Sequence, residues 1–423
     1  MPAPQTKYTI NLNKEIIIMK IKIDEMVKIT NKVMAAVGKE DTIKIEFKRG
    51  KAKDGSAMNI VQFLANSGNG FQISQNMKYD GEPLPSSAKY VKASALATIL
   101  KNYQTLGVES VGFEPTDSQL IVKNDMGQAG LGATEKNPGE ISKEKGQKNP
   151  LITLKFNLKE LQAAVRSVAY ALKNDVAAKM QGIYFAANDT GYTLYGLNRF
   201  FCAQSKVKCG FGKPNTDKPF SKDFMVPANI LKALAVMEGD SNGSIDGLIS
   251  QNYLLLRDGK LANSYIQLME TKEYPKEGMV GRLTEKNEPL ANPELFSAKV
   301  NKSLIEASCN LADLLNNNHI VKLSAVKLGS NTELVTGSDQ NPQTISASEV
   351  NFKADGTEAH MCFTTQLLLN ILSNISEENI FIRVGSSKCI LIYSGDDIVP
   401  SAFLLGRSDE NQNKTDKESD EKK

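Results

Sequence analysis

Between Leu151 and Cys209 the chain alternates, then turns helical, then alternates again. Leu151-Ile152-Thr153-Leu154-Lys155-Phe156 places apolar residues at every second position, which predicts a strand. Asn157 follows as a helix cap. Leu158, Leu161, Val165, Val168 and Leu172 then recur at helical spacing on one face. Lys159, Arg166 and Lys173 fall on the other side, seven residues apart each time. Gly182–Ala186 and Tyr192–Tyr195 are short apolar runs, and Arg199-Phe200-Phe201-Cys202 leads into a last strand. The predicted unit is a strand, an amphipathic helix with a basic outer stripe, and several strands.

The same plan opens two other segments. Met19-Lys20-Ile21-Lys22-Ile23 leads into a helix expected from Met26 to Val37, with Lys28 and Lys32 at polar positions. Leu295 to Val300 leads into a helix from Leu304 to Leu315, capped by Asn301. Each segment also has a second half that resembles its first. Tyr90–Ala93 precedes Leu96, Ile99 and Leu100, Phe224–Pro227 precedes Ile230, Leu231 and Leu234, and Met361–Phe363 precedes Leu367, Leu368, Ile371 and Leu372. Runs of strands follow over Ser110–Ala133, Ser244–Met269 and Asn379–Leu405. Repetition of one opening outweighs any single motif in setting the fold. The pattern predicts an α+β chain of three repeated domains, each made of two strand-helix-strands units.

Two stretches without periodicity, Glu135–Pro150 and Gly278–Pro293, are expected linkers. They set the expected domains at residues 19–138, 151–279 and 292–407, each of a size suited to one core. Residues 1–18 are expected to be an extension, because Met19 looks like a natural start of the first repeat. Residues 408–423 hold six acidic residues, four lysines and no apolar residue, and should form a solvated tail.

Composition narrows the function. The 423 residues are 41% hydrophobic and 23% charged, ordinary for globular chains, and the net charge is only +3. Bulk charge therefore does not announce a nucleic-acid binder; any basic surface must come from where the lysines sit. Five scattered cysteines argue for reduced thiols in a cytoplasmic setting. No apolar run approaches the roughly 18 residues of a membrane span, so no membrane partner is expected. His319 and His360 are isolated, and the spacing of Cys202 and Cys209 suits no metal site. Gly68-Asn69-Gly70 lies between two strand-like runs and reads as a hairpin turn, not a phosphate cradle, since no helix follows. No Walker motif or acid/base couple stands out. The expectation is no enzyme, no metal and no cofactor.

What remains is the basic helix face. On one helix it would be a solvated surface; repeated over several units it could meet a polyanion read by charge alone. Lys101, Lys232 and Lys302 take polar helix positions elsewhere.

The segment Leu151–Cys209, followed by Asp223-Phe224-Met225-Val226-Pro227 and on to Glu273-Tyr274-Pro275, resembles the bacterial DNA polymerase III beta subunit, the sliding clamp. The likeness extends over about residues 19 to 407 and rests on the order and spacing of blocks. It implies a head-to-tail dimeric ring of three-domain subunits, with helices lining a central hole and sheets outside. It implies a non-catalytic processivity factor that encircles double-stranded DNA, tethers the replicative DNA polymerase and is loaded by a clamp loader ATPase. Lys28, Lys32, Lys159, Arg166 and Lys173 would then face DNA. Leu197, Asn198, Arg199 and Phe200 on one side, with Pro275, Val280, Leu405 and Arg407 on the other, would form the pocket that takes a short partner peptide. The strand Ala129–Ala133, carrying Leu131, would meet Leu314 and Leu315 of a second copy.

There are departures from the family pattern. Tyr195-Gly196-Leu197-Asn198-Arg199-Phe200 stands where the family carries Thr-Asp-Gly/Ser-His-Arg-Leu, keeping the arginine and losing the histidine. A charged tail follows Phe403-Leu404-Leu405-Gly406-Arg407, and the chain is not acidic. These features resemble a divergent clamp of the kind a phage or mobile element carries. The alternative is a monomeric clamp-fold scaffold that binds proteins and does not encircle DNA.

Overall fold

The computed structural model describes residues 19–34, 37, 41–51, 57–67, 70–135, 141, 151–172, 181–212, 222–258, 262–272, 274, 294–315, 319–338, 341–386, 388–395, 397 and 400–407. Among these there are six α-helices: α1 (Ile23–Met34), α2 (Ala93–Thr105), α3 (Leu158–Ala169), α4 (Ile230–Val236), α5 (Lys302–Leu315) and α6 (Thr365–Leu372). None is long and apolar enough to cross a membrane. Each follows a strand, as the repeated pattern predicts.

The chain divides into two compact units, one of Met1–Pro150 with Lys232–Gln267, the other of Leu151–Leu231 with Leu268–Lys423. In the first, α1 begins at Ile23, three residues before the periodicity suggests. Asp24 and Glu25 occupy its first turn, where the helix dipole favours carboxylates. The Ile23 N–H donates to the Glu109 carbonyl at 3.1 Å, which ties the start of the helix to the chain after α2. Met26, Ile29 and Val33 form its buried face, and α1 packs on α2. Beneath the helices lie two antiparallel sheets. One runs Asp80–Gly81, Met19–Lys22, Ser110–Pro115, Gln119–Asn124, Gly127–Gly132, with Gly127–Gly132 at its edge. The other runs Ser87–Lys92, Thr42–Lys51, Ala57–Asn66, Phe71–Lys78, Ala262–Gln267, Tyr253–Arg257, Ser244–Ile249. Gly70 sits at φ +71° where Ala57–Asn66 turns into Phe71–Lys78, a conformation suited to glycine. This agrees with the expected hairpin, of which Gly68 and Asn69 lie outside the described residues.

In the second unit Asn157 caps α3, its side-chain oxygen accepting the Glu160 N–H at 3.2 Å. Leu158, Leu161, Val165 and Val168 are buried; Leu172 belongs to a 3-10 turn, Tyr170–Leu172, that ends the helix more tightly than its periodicity predicts. Asn301 accepts the Ser303 N–H at 3.0 Å at the start of α5. Strand Phe201–Gly212 is the hinge of the pairing. It pairs with Gly191–Leu197 along most of its length, with Ile152–Asn157 at its far end and with Ala402–Leu405 at its start. Ala402–Leu405 continues through Cys389–Ser394 and Asn379–Gly385 to Glu294–Asn301. A separate four-stranded sheet holds Pro342–Ile345, Asn331–Gly337, Ile320–Leu328 and Glu358–Thr364.

Aromatic rings fill the core under α3: Tyr192 meets Phe185, Phe224 and Phe211 edge-on, and Phe185 stacks on Phe224. All five cysteines are buried and none forms a disulfide. Burial alone pushes the Cys202 thiol far up; it also drives up Cys209, to about 12 despite a backbone hydrogen bond, and Cys309, to about 12 with help from Glu306 and Asp313.

Candidate functional site

The turn between Gly191–Leu197 and Phe201–Gly212 is built by one side chain. The Asn198 Oδ1 accepts the N–H groups of Phe200 (2.8 Å) and Phe201 (2.9 Å), while the Asn198 N–H donates to the Phe201 carbonyl at 3.0 Å. Such an Asx-type turn substitutes a side-chain carbonyl for backbone pairing. It leaves Arg199 exposed and Phe200 52% exposed, uncommon for so large an apolar group. The Phe200 carbonyl accepts the Leu405 N–H at 2.9 Å, and Phe201 pairs with Leu404. Two residues some 200 positions apart are thereby set side by side.

Beneath them lies an apolar cluster of Tyr184, Tyr195, Leu197, Cys202, Met225, Tyr274, Leu391 and Phe403, with the half-buried Leu405 packed against it. The Tyr184 and Tyr274 rings stack at 4.7 Å. Burial is the largest influence on these phenols and pushes Tyr195 up to about 12; on Tyr184 the hydrogen bond to Asp223 adds to it. All stay neutral and act as apolar surface near neutral pH. Leu197 is 0% exposed and Asn198 nearly buried. They support the turn from below; the surface they support is offered by Arg199, Phe200 and Leu405. Arg407 is exposed, its N–H donating to the Cys362 carbonyl at 2.8 Å. Pro275 and Val280 lie outside the described residues.

Lys159 and Arg166 are exposed on α3, opposite its buried face, and Lys173 lies outside the described residues. On α1 the expected stripe has a partner that the local pattern does not reveal. Lys28 and Lys32 each place Nζ 2.6 Å from Glu238 Oε1. The hydrogen bond and charge of Glu238 hold the Lys28 ammonium above its usual range. Lys32 and Glu238 are 206 residues apart, too far for any spacing rule to pair them.

Leu131 is 5% exposed and pairs with Leu120, so its side chain belongs to the core of its own unit; among the described residues its strand leaves the sheet edge open. Leu314 is 80% exposed and Leu315 51% at the C-terminal end of α5. No group of three His, Cys, Asp or Glu side chains suited to a metal ion occurs among the described residues.

No family model matches the sequence, and no curated protein does. Solved structures match along nearly the whole chain, and they define the class: the fold is that of the bacterial sliding clamps. The DNA polymerase III beta chain of Streptococcus pneumoniae is similar with a TM-score of 0.71 at 15% identity, over 92% of this chain and 99% of that one. The sliding clamp of Bacillus subtilis gives 0.71 at 16%, over 92% and 98%. The Helicobacter pylori beta clamp, solved bound to a DNA ligase peptide, gives 0.67 at 12%, over 92% and 99%.

Proposed function

We propose that this chain is a DNA sliding clamp, a non-catalytic processivity factor that encircles duplex DNA and tethers a replicative polymerase. The observation that carries this reading is the match of a clamp fold from end to end in both directions, 92% of this chain and 99% of the Streptococcus pneumoniae chain. Three repeated domains at 19–138, 151–279 and 292–407, which the sequence pattern suggests, would fit that assembly. A head-to-tail homodimer would bring the open edge of Gly127–Gly132 of one copy to Leu314 and Leu315 of another. Lys28, Lys32, Lys159 and Arg166, with Lys173, would meet phosphates without regard to sequence. Arg199, Phe200, Leu405 and Arg407, with Pro275 and Val280, would receive a short peptide from the polymerase and from the clamp loader ATPase. Weak binding suffices there, because tethering raises the effective concentration of each further encounter. Thiols outside any disulfide suit a reducing cytoplasm.

Native mass measurement together with retention on DNA tests the proposal. A dimer that stays on closed circular DNA and runs off when the circle is cut is the expected result. A monomer equally indifferent to circular and linear DNA would instead identify the protein-binding scaffold.

A further inference from the structure

A ring that slides must touch DNA without gripping it, so each of its cations needs a reason not to bind tightly. On α1 the structure offers one. Lys28 and Lys32 lie one helical turn apart and would make two adjacent phosphate contacts. Both ammonium groups instead converge on a single oxygen, Glu238 Oε1, at 2.6 Å each. Lys28 is exposed and Lys32 half-buried, so this cluster is open to solvent on the side of Lys28.

The carboxylate is held in place by a stiff turn. Met237, just before it, is buried and donates its N–H to the Leu234 carbonyl at the end of α4. Gly239, just after it, takes φ +73°, and a Cβ there would come within 3.0 Å of the Gly243 carbonyl carbon. Asp240 then closes the turn, its Oδ1 accepting the N–H groups of Asn242 and Ser244 at 2.8 Å each. Glu238 therefore enters the cluster from a backbone that does not drift with the side chain.

We infer that Glu238 is an internal competitor for the phosphate backbone, occupying Lys28 and Lys32 so that this pair of lysines meets duplex DNA with one net positive charge instead of two. This rests on the sliding-clamp reading and refines it. A phosphate approaching α1 must displace or share the carboxylate, and an ion pair that solvent reaches resists only weakly, so contact is possible but loose. Removing the negative charge should tighten the contact and make it more sensitive to salt, since every additional phosphate neutralised steepens the log–log salt dependence by about 0.9.

The test is binding to duplex DNA over a salt series for wild type, Glu238→Gln, and Glu238→Gln combined with Lys28→Gln and Lys32→Gln. Retention of wild type on closed circles is measured in parallel. Glu238→Gln should bind roughly fivefold tighter at low salt, with a slope steeper by about 0.9, and the triple variant should fall to wild type or below. Wild type retained on circles, with Glu238→Gln giving the same affinity and slope, would overturn the inference and leave the clamp intact. Glu238→Gln binding more tightly while wild type is not retained on circles would uphold the competitor and overturn the ring. A gain that persists without the two lysines would also overturn the inference, by placing the effect of Glu238 elsewhere.

Discussion

Glu294 is a carboxylate held inside the second unit by neighbours that a sequence pattern does not announce. Its Oε1 accepts the Ser297 hydroxyl at 2.9 Å and lies 3.3 Å from the Lys353 ammonium; its Oε2 accepts the Arg383 Nε–H at 2.9 Å. Burial pushes the carboxyl up, yet the hydrogen bonds from Ser297 and Arg383 and the charges of Arg383 and Lys353 outweigh it. The net position is below the usual carboxylate range. A carboxyl lowered by folding binds its proton less readily in the folded chain than in the unfolded one. Its contribution is therefore present above the unfolded value, about 4.3, and is lost as pH falls through the lower folded value. Glu294→Gln should cost about 1–3 kcal/mol near pH 7, and the gap to wild type should narrow below about pH 4. Urea midpoints of the two proteins across that range check it; a gap that stays constant would show that the charge is not what matters.

Among elements, what could be read in advance is what local chemistry determines. The cap at Asn157, the buried face of α3 and the hairpin at Gly70 follow from residues within a turn of one another. Pairings at long range were not legible. Ala262–Gln267 joins Phe71–Lys78, and Gln72 binds both the N–H and the carbonyl of Ile141 inside a stretch whose composition marks it as a linker. The proposed peptide surface lies between these cases. Phe200 and Leu405 could be named from the resemblance, but their adjacency depends on the pairing of Phe201–Ala203 with Ala402–Leu404. That Leu197 and Asn198 serve the turn from within, and do not line its surface, follows from the burial of both and from the two hydrogen bonds to Asn198 Oδ1. Truncating both exposed groups, Phe200→Ala with Leu405→Ala, should weaken a C-terminal peptide of a replicative polymerase at least about tenfold, since buried aromatic anchors dominate such contacts. Calorimetric titration gives the answer; equal affinities with the fold retained would move the binding surface elsewhere.

At the scale of the whole molecule, the proposed assembly would rest on a surface that is sparing with apolar groups. The strand Gly127–Gly132 has three glycines in six residues and turns its leucine inward, so backbone pairing must supply most of what it offers. In the proposed dimer Leu314 and Leu315 would be the main apolar anchors, and their exposure means that a charge there should leave the subunit folded. Leu315→Lys should give a monomer of unchanged thermal midpoint, seen by sedimentation. An unaltered dimer would place the interface away from α5, and an unfolded chain would make Leu315 part of the core.

The burial of the cysteines has a practical consequence. A thiol reacts as its thiolate, and Cys202, Cys209 and Cys309 are kept protonated as well as covered, while Cys362 and Cys389 are covered by their own strands. The native surface should thus be silent toward alkylating dyes. A single cysteine introduced at an exposed position can carry a fluorophore or a crosslinker without stripping the natural thiols first, so opening and closing of the proposed ring could be followed by energy transfer on an otherwise unaltered chain.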